Sequence, residues 1–286
     1  MRLLFLLILL TASTYACAQD NLQGAWQGVL IKDGAKESES IIIYLYLQVD
    51  GANVTGTTRE EFYKTDYYLI QKTKGSIDHS TIKLKQYNIE KRKISSAINV
   101  CSVDMALDYV DSTGYLSGRF TGNNCRGNIG RVIFYRCKKD VSKGDSVLFS
   151  HSWRDGFLAD LKKGRKAPEV QERERRNFKF QPIYFDYDQA EIKPEFTTYL
   201  SQMARVVNGH SDLRIRITGH TDADGSDEYN VGLSQRRAKA IQDFFLQRGL
   251  EFFKLVIDFK GEKMPVDNNN TPEGKQRNRR VDFEFI

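Results

Sequence analysis

The sequence predicts two domains of different class. One is all-β over residues 20–137, a meander barrel or a sandwich; the other is an α/β sandwich of βαβαββ order over residues 180–286. Three observations carry that reading. Apolar and polar residues alternate in eight short runs up to residue 135. Beyond residue 180, runs with a helical period are interleaved with strands. A charge-dense stretch separates the two patterns.

The chain opens with Met1 and Arg2, an unbroken apolar run over 3–10, and a small-residue stretch ending Ala16-Cys17-Ala18. A short positive start, an apolar core and an A-x-A site read as a secretory signal over residues 1–18. The run is too short for a bilayer, which takes roughly 20 apolar residues. Lipidation of Cys17 competes with simple cleavage after Ala18. Thr14 and Tyr15 fit a lipoprotein signal poorly, which favours cleavage. Export permits disulfides, and Cys101, Cys125 and Cys137 remain, an odd set that leaves one thiol over. Cys101 with Cys125 is the preferred bridge, since both fall near the ends of neighbouring predicted strands. No CxxC occurs and the histidines are scattered, so neither metal nor cofactor is expected.

The eight predicted strands cover 25–31, 41–49, 54–59, 67–71, 81–89, 98–110, 115–120 and 131–135. Thr81-Ile82-Lys83-Leu84-Lys85 is a clean period-two stretch with one apolar face. Asp50-Gly51-Ala52-Asn53 and Ser112-Thr113-Gly114 supply turn chemistry between runs. Short sequential strands with tight turns favour an up-and-down barrel or a sandwich. Gly24-Ala25-Trp26 is similar to the G-x-W opening of lipocalin-type barrels, which implies that Trp26 plugs one end. The runs show no repeated lipid-facing band flanked by aromatic girdles, which favours a soluble over a membrane-spanning barrel.

Residues 138–179 read as a basic helical linker. Within 151–163, Trp153, Phe157, Leu158 and Leu161 stand at helical spacing, so a short amphipathic helix packs on a neighbour. Pro168 then opens a helix in which both charge signs recur at three- and four-residue offsets, the pattern of a solvated face. Adhesion to anionic envelope polymers is the alternative reading of this run.

In the C-terminal part, 183–187 reads as a strand, and Pro194 opens a helix striped by Leu200, Met203, Ala204 and Val207. Residues 213–217 alternate as a strand, 227–248 form a long helix ended by Gly249, and strands follow at 255–259 and 280–285. Residues 266–271 read as a polar, mobile loop.

Four pieces of this region stand in register: Phe185-Asp186-Tyr187-Asp188 with Ile192 and Pro194-Glu195; Thr218-Gly219-His220-Thr221-Asp222; Asn230, Leu233-Ser234 and Arg237-Ala238; and Asn278-Arg279-Arg280-Val281. Their order and spacing resemble the OmpA-like peptidoglycan-binding family over its whole domain. The resemblance implies recognition of diaminopimelate in the stem peptide of the cell wall. Asp222 then holds the ligand's ammonium and Arg237 its carboxylate.

The chemistry is coherent on its own terms. A zwitterionic head needs one fixed anion beside one fixed cation, and a guanidinium grips a carboxylate through two parallel hydrogen bonds. Asn230, Leu233 and Arg237 fall on one helix face at i, i+3 and i+7, and Thr221 flanks Asp222. Arg280 either lines the site or supports the fold, whereas Arg277 and Arg279 read as exposed charge. His220 is implied to be structural, bonded to backbone, with no chemistry assigned. By residue type alone Asp222 reads as a helix cap and Arg237 as a surface residue; the resemblance reverses both.

The function expected is a non-catalytic envelope protein of the periplasm or outer membrane that binds peptidoglycan and tethers the β-domain to the wall. Its other partner is an outer-membrane or periplasmic protein held by the β-domain. Two alternatives are a wall-anchored carrier of a lipid or small apolar ligand in the barrel, and a wall-acting hydrolase. The hydrolase is disfavoured because Glu60 and Glu61 are adjacent on a strand and face opposite ways. The excess of 43 Lys and Arg over 37 Asp and Glu suits anionic partners. Export excludes nucleic acid, and the lack of a further apolar span argues against a flagellar stator role.

Overall fold

The computed structural model describes residues 22–78, 80–96, 98–123, 125–137 and 151–286. The predicted export signal, Cys17 and the stretch directly after Cys137 lie outside the described residues. The chain divides into two compact units, Met1–Val170 and Gln171–Ile286.

In the first unit eight antiparallel strands close into a barrel in chain order. They are β1 (Gly24–Lys32), β2 (Ile41–Asp50), β3 (Asn53–Glu61), β4 (Tyr68–Asp78), β5 (Thr81–Lys93), β6 (Val103–Val110), β7 (Tyr115–Gly122) and β8 (Ile129–Arg136). Closure is made by β1 on β8, with Trp26 opposite Arg136 and Leu30 opposite Val132. Of the two all-β forms the sequence allows, the barrel is the one formed. Alternation along each strand sends Leu45, Leu84, Met105, Leu116 and Phe134 into one interior cluster. Burying each such side chain contributes about 1.5–3 kcal/mol. Gly75 permits close approach of β4 and β5, because a Cβ there would lie 1.7 Å from the Lys83 carbonyl oxygen.

Trp26 is wholly buried in that cluster and donates its indole N–H to the Leu22 carbonyl at 3.0 Å. The Arg136 guanidinium lies 4.4 Å from its ring centroid. Towards the opposite ends of β1 and β3 the interior turns polar. Gln86 Nε2 donates to Thr58 Oγ1 at 2.8 Å and Glu60 Oε1 at 3.0 Å, while its Oε1 accepts from Gln71 and from the Val103 N–H. Glu60 and Glu61 do face opposite sides. Glu60 joins this interior network, and Glu61 pairs with Arg59 at 2.7 Å and His151 at 2.9 Å. A disulfide joins Cys101 and Cys125, with Cys137 outside it.

Helix α1 (Trp153–Lys162) covers the outer face of the barrel. Phe157 and Leu158 pack on Val29, Ile31, Tyr115 and Tyr135, with the Phe157 and Tyr135 ring centroids 4.8 Å apart. Burial of this stripe is what makes so short a helix stable, since ten residues in isolation are marginal. Arg154 is buried beneath it and donates to the Glu37 and Ser38 carbonyls at 3.0 and 2.6 Å. The charge-dense run forms α2 (Pro168–Asn177).

The second unit carries β9 (Ile183–Tyr184), α3 (Thr197–Gly209), β10 (Ile215–Gly219), α4 (Asp227–Gln247), β11 (Leu255–Phe259), α5 (Pro272–Asn278) and β12 (Arg280–Phe285). The sheet order is β11-β10-β12-β9, with β10 parallel to β11 and β12 antiparallel to both its neighbours. Ile215, Ile217, Val281 and Phe283 meet Leu200, Met203, Val207, Ile241 and Phe245 in one core. Helix α5 is an element that the expected βαβαββ order lacks. Thr271 caps it by accepting the Gly274 N–H at 3.0 Å, and Pro272 stands in its first turn. The preceding loop is fastened to it, because Asn278 Oδ1 accepts the backbone N–H groups of Val266 and Asp267 at 2.8 and 3.0 Å.

Candidate functional site

The loop between β10 and α4 starts where Gly219 ends its strand against the helix. A Cβ at Gly219 would lie 2.0 Å from the Ser234 carbonyl oxygen, so only glycine lets strand and helix approach this closely. Ser226 caps α4 by accepting the Tyr229 N–H at 3.3 Å. That leaves Asp222, four residues earlier, free of the capping role its residue type suggests.

Asp222 is 3% exposed. Its Oδ2 accepts a charge-assisted bond from Arg279 Nη1 at 2.8 Å, and its Oδ1 takes only a long contact of 3.4 Å from the Asp224 N–H. Arg279 is therefore no exposed charge: its side chain is 11% accessible and also bonds the Phe185 carbonyl at 3.3 Å and Gln276 Oε1. Arg279 ends helix α5 one residue before β12 begins. Arg277 is exposed and pairs with Asp267.

Arg237 is fully buried on α4. It donates to three backbone carbonyls, Gln189 at 2.8 Å, His220 at 2.9 Å and Asp186 at 3.1 Å. A guanidinium has five N–H groups, so two remain beyond these bonds. Burial pushes its pKa down to about 10; the Asp222 charge opposes that fall and Arg279 adds to it. Arg237 thus stays cationic at neutral pH, and the fold sets it in the electrostatic reach of Asp222.

The remaining predicted residues surround this pair in sequence and in burial. Thr221 is buried, its N–H bonds the Gly261 carbonyl at 2.9 Å, and its hydroxyl has no partner among the described residues. Asn230 donates to Glu262 Oε2 at 2.5 Å while its Oδ1 is unpaired among the described residues, and Leu233 is buried beside it on α4. Arg280 pairs with Asp282 at 2.9 Å and bonds the Met264 carbonyl at 3.3 Å, leaving Nη1 unpaired among the described residues. His220 meets the same Asp282 through Nε2 at 3.3 Å, so its ring faces a carboxylate rather than backbone. Burial pushes the Asp282 carboxyl up, but hydrogen bonds and charge from His220 and Arg280 outweigh that and hold it below its ordinary value. The structure therefore gathers Asp222, Arg279 and Arg237 in one group, and Arg280, Asp282 and His220 in another. Glu262, Gln276, Arg279 and Asp282 are the members sequence reasoning missed.

Residues 184–279 match the OmpA family, and this segment is an OmpA-family domain. It is 34% identical over 103 residues to outer membrane protein A of Bordetella avium, covering 36% of this chain and 53% of that protein. It is 36% identical over 102 residues to the peptidoglycan-associated lipoprotein of Pseudomonas aeruginosa, covering 36% of this chain and 60% of that one. The crystal structure of the peptidoglycan-associated lipoprotein from Burkholderia pseudomallei aligns at 28% identity and a TM-score of 0.37, over 37% of this chain and 90% of that structure. The chain thus spans between half and two thirds of the two curated relatives.

Proposed function

We propose that the C-terminal domain binds peptidoglycan non-covalently by gripping the diaminopimelate residue of its stem peptide, and so tethers the barrel to the cell wall. Asp222 receives the ligand's ammonium. Arg237 receives its carboxylate through the two N–H groups that its backbone bonds leave over. Thr221, Asn230, Leu233 and Arg280 complete the surroundings of the head group. The protein works without catalysis, as an exported component of the periplasm or outer membrane.

The observation that carries this reading is the nearly buried Asp222 carboxylate, whose Oδ1 has no strong donor, set beside a cationic Arg237 with donors in reserve. Burying a charge is unfavourable unless it is paired, so such an arrangement persists where the fold or a ligand compensates it. Unpaired polar atoms on Thr221, Asn230 and Arg280 add further hydrogen-bonding capacity in the same stretches of chain. The relatives named for association with peptidoglycan match over this domain, which supports the same ligand.

The test is co-sedimentation of the purified protein with two insoluble peptidoglycans, one with diaminopimelate and one with lysine at the third stem position. Lysine lacks the carboxylate assigned to Arg237. Preferential pelleting with the diaminopimelate wall, displaced by free diaminopimelate, is the expected result. Equal pelleting with both walls, or with neither, refutes the assignment.

A further inference from the structure

The barrel has a cavity of about 360 Å³ at the end away from Trp26, within the size range of small-molecule sites. Its walls include Leu30, Ile41, Phe62, Leu69, Val103 and Phe120. Three charged side chains line it: Lys32 and Glu39, both exposed, and Glu60, which is 7% exposed.

The network around Glu60 has a fixed direction. Gln86 Oε1 accepts from Gln71 Nε2 at 3.0 Å and from the Val103 N–H at 2.8 Å, so that end of the amide must be the oxygen. Gln86 Nε2 must then donate, and it does so to Glu60 Oε1 at 3.0 Å. Among the described residues no group bonds Glu60 Oε2. An acceptor oxygen of a desolvated carboxyl is thereby left over in a chamber whose walls are mostly apolar. Lys32 and Glu39 offset one another, so the charge of the lining is set by Glu60.

We infer that the barrel mouth binds a small amphipathic amine, its ammonium received by Glu60 Oε2 and its apolar body lying along Leu30, Leu69, Val103 and Phe120. An ammonium supplies the donor that Oε2 lacks and neutralises the buried charge, and a hydrocarbon body matches the walls. A fatty acid would bring a second carboxylate against Glu60, and a neutral alcohol would leave the charge uncompensated. Burial pushes the Glu60 carboxyl up to about 7, against the lowering effect of the Gln86 bond, so the site is ionised and ready for a cation at mildly alkaline pH. The inference concerns the barrel alone and does not depend on what the C-terminal domain binds.

The experiment is isothermal titration of the full chain at pH 8 with hexylamine, 1-hexanol and hexanoate, for wild type and Glu60→Gln. The expected result is saturable hexylamine binding at least ten-fold tighter than hexanol or hexanoate. Glu60→Gln, which keeps the shape of the cavity, then loses ten-fold or more for hexylamine and retains its hexanol affinity. The order of the three ligands on the wild type decides the matter even where the variant fails to fold. Equal or tighter hexanoate or hexanol binding, undiminished hexylamine binding by Glu60→Gln, or no saturable binding of hexylamine overturns the inference.

Discussion

Removing Arg279 tests whether the site is a built electrostatic unit or a set of independent surface charges. Arg279→Ala deletes the 2.8 Å bond to Asp222 Oδ2, and the accessibility of the two side chains is 11% and 4%. What remains at Asp222 is the 3.4 Å contact from the Asp224 N–H and the field of Arg237, three of whose five N–H groups are engaged with carbonyls. Leaving a buried charge without its partner is unfavourable by about 3–5 kcal/mol where nothing else compensates. Arg237 offsets part of that, so the expected loss is about 2–3 kcal/mol, with a fall in Tm of several degrees for a unit of this size. Calorimetry on wild type, Arg279→Ala, Asp222→Asn and the double variant measures it. Because the neutral amide no longer needs the cation, the double variant should lose about 1 kcal/mol or more less than the sum of the singles. A loss under about 0.5 kcal/mol for Arg279→Ala, the level of an exposed pair, or strict additivity, refutes the reasoning.

Three other outcomes follow from the same geometry. Gly219→Ala should destabilise the C-terminal unit by about 1–3 kcal/mol, read as a fall in Tm, because its methyl meets the Ser234 carbonyl oxygen at 2.0 Å; an unchanged Tm would mean that β10 and α4 separate freely. Glu61→Ala removes the carboxylate that pairs with the buried Arg59 at 2.7 Å and should lower barrel stability in urea by about 1–3 kcal/mol, whereas a loss below about 0.5 kcal/mol would show that the pair is already solvated. For Glu60 burial raises the folded pKa to about 7, above the 4.5 of a free glutamate side chain. The folded state therefore holds the proton more tightly, its stabilisation is full below about pH 4.5, and it is lost as pH rises through 7. The wild-type urea midpoint should fall between pH 5 and 8 by an amount that Glu60→Gln removes; parallel pH profiles for the two proteins would contradict this.

Local patterning made much of the fold legible. The alternation at Thr81 to Lys85 marks β5, and the same parity places Glu60 inside the barrel and Glu61 outside it. Barrel closure was not legible, because the pairing of β1 with β8 joins strands about a hundred residues apart and leaves no local mark. The Cys101–Cys125 bridge was legible from strand ends. Helix α5 was missed although Thr271-Pro272 is a capping signal, since seven residues give too few turns for a periodic stripe. In the site, Asp222 and Arg237 stood out by motif, while the partners that hold them did not. The carbonyls of Asp186, Gln189 and His220 are backbone groups, and their meeting at Arg237 is a property of the tertiary fold. Arg279 was hidden because an arginine among several others reads as solvated until an acid is found beside it.

The central claim is that Asp222 holds the ammonium of the wall peptide. Asp222→Asn keeps the size and shape of the side chain and removes its charge, so its effect on binding isolates the electrostatic grip from packing. The direct measurement is co-sedimentation of wild type and Asp222→Asn with diaminopimelate-containing peptidoglycan, at a temperature well below the Tm of both. Loss of a charge-assisted hydrogen bond of about 1.5–3 kcal/mol corresponds to about ten-fold or more in affinity. The account predicts that wild type pellets with the wall while Asp222→Asn stays largely in solution; equal pelleting by the two proteins would contradict it.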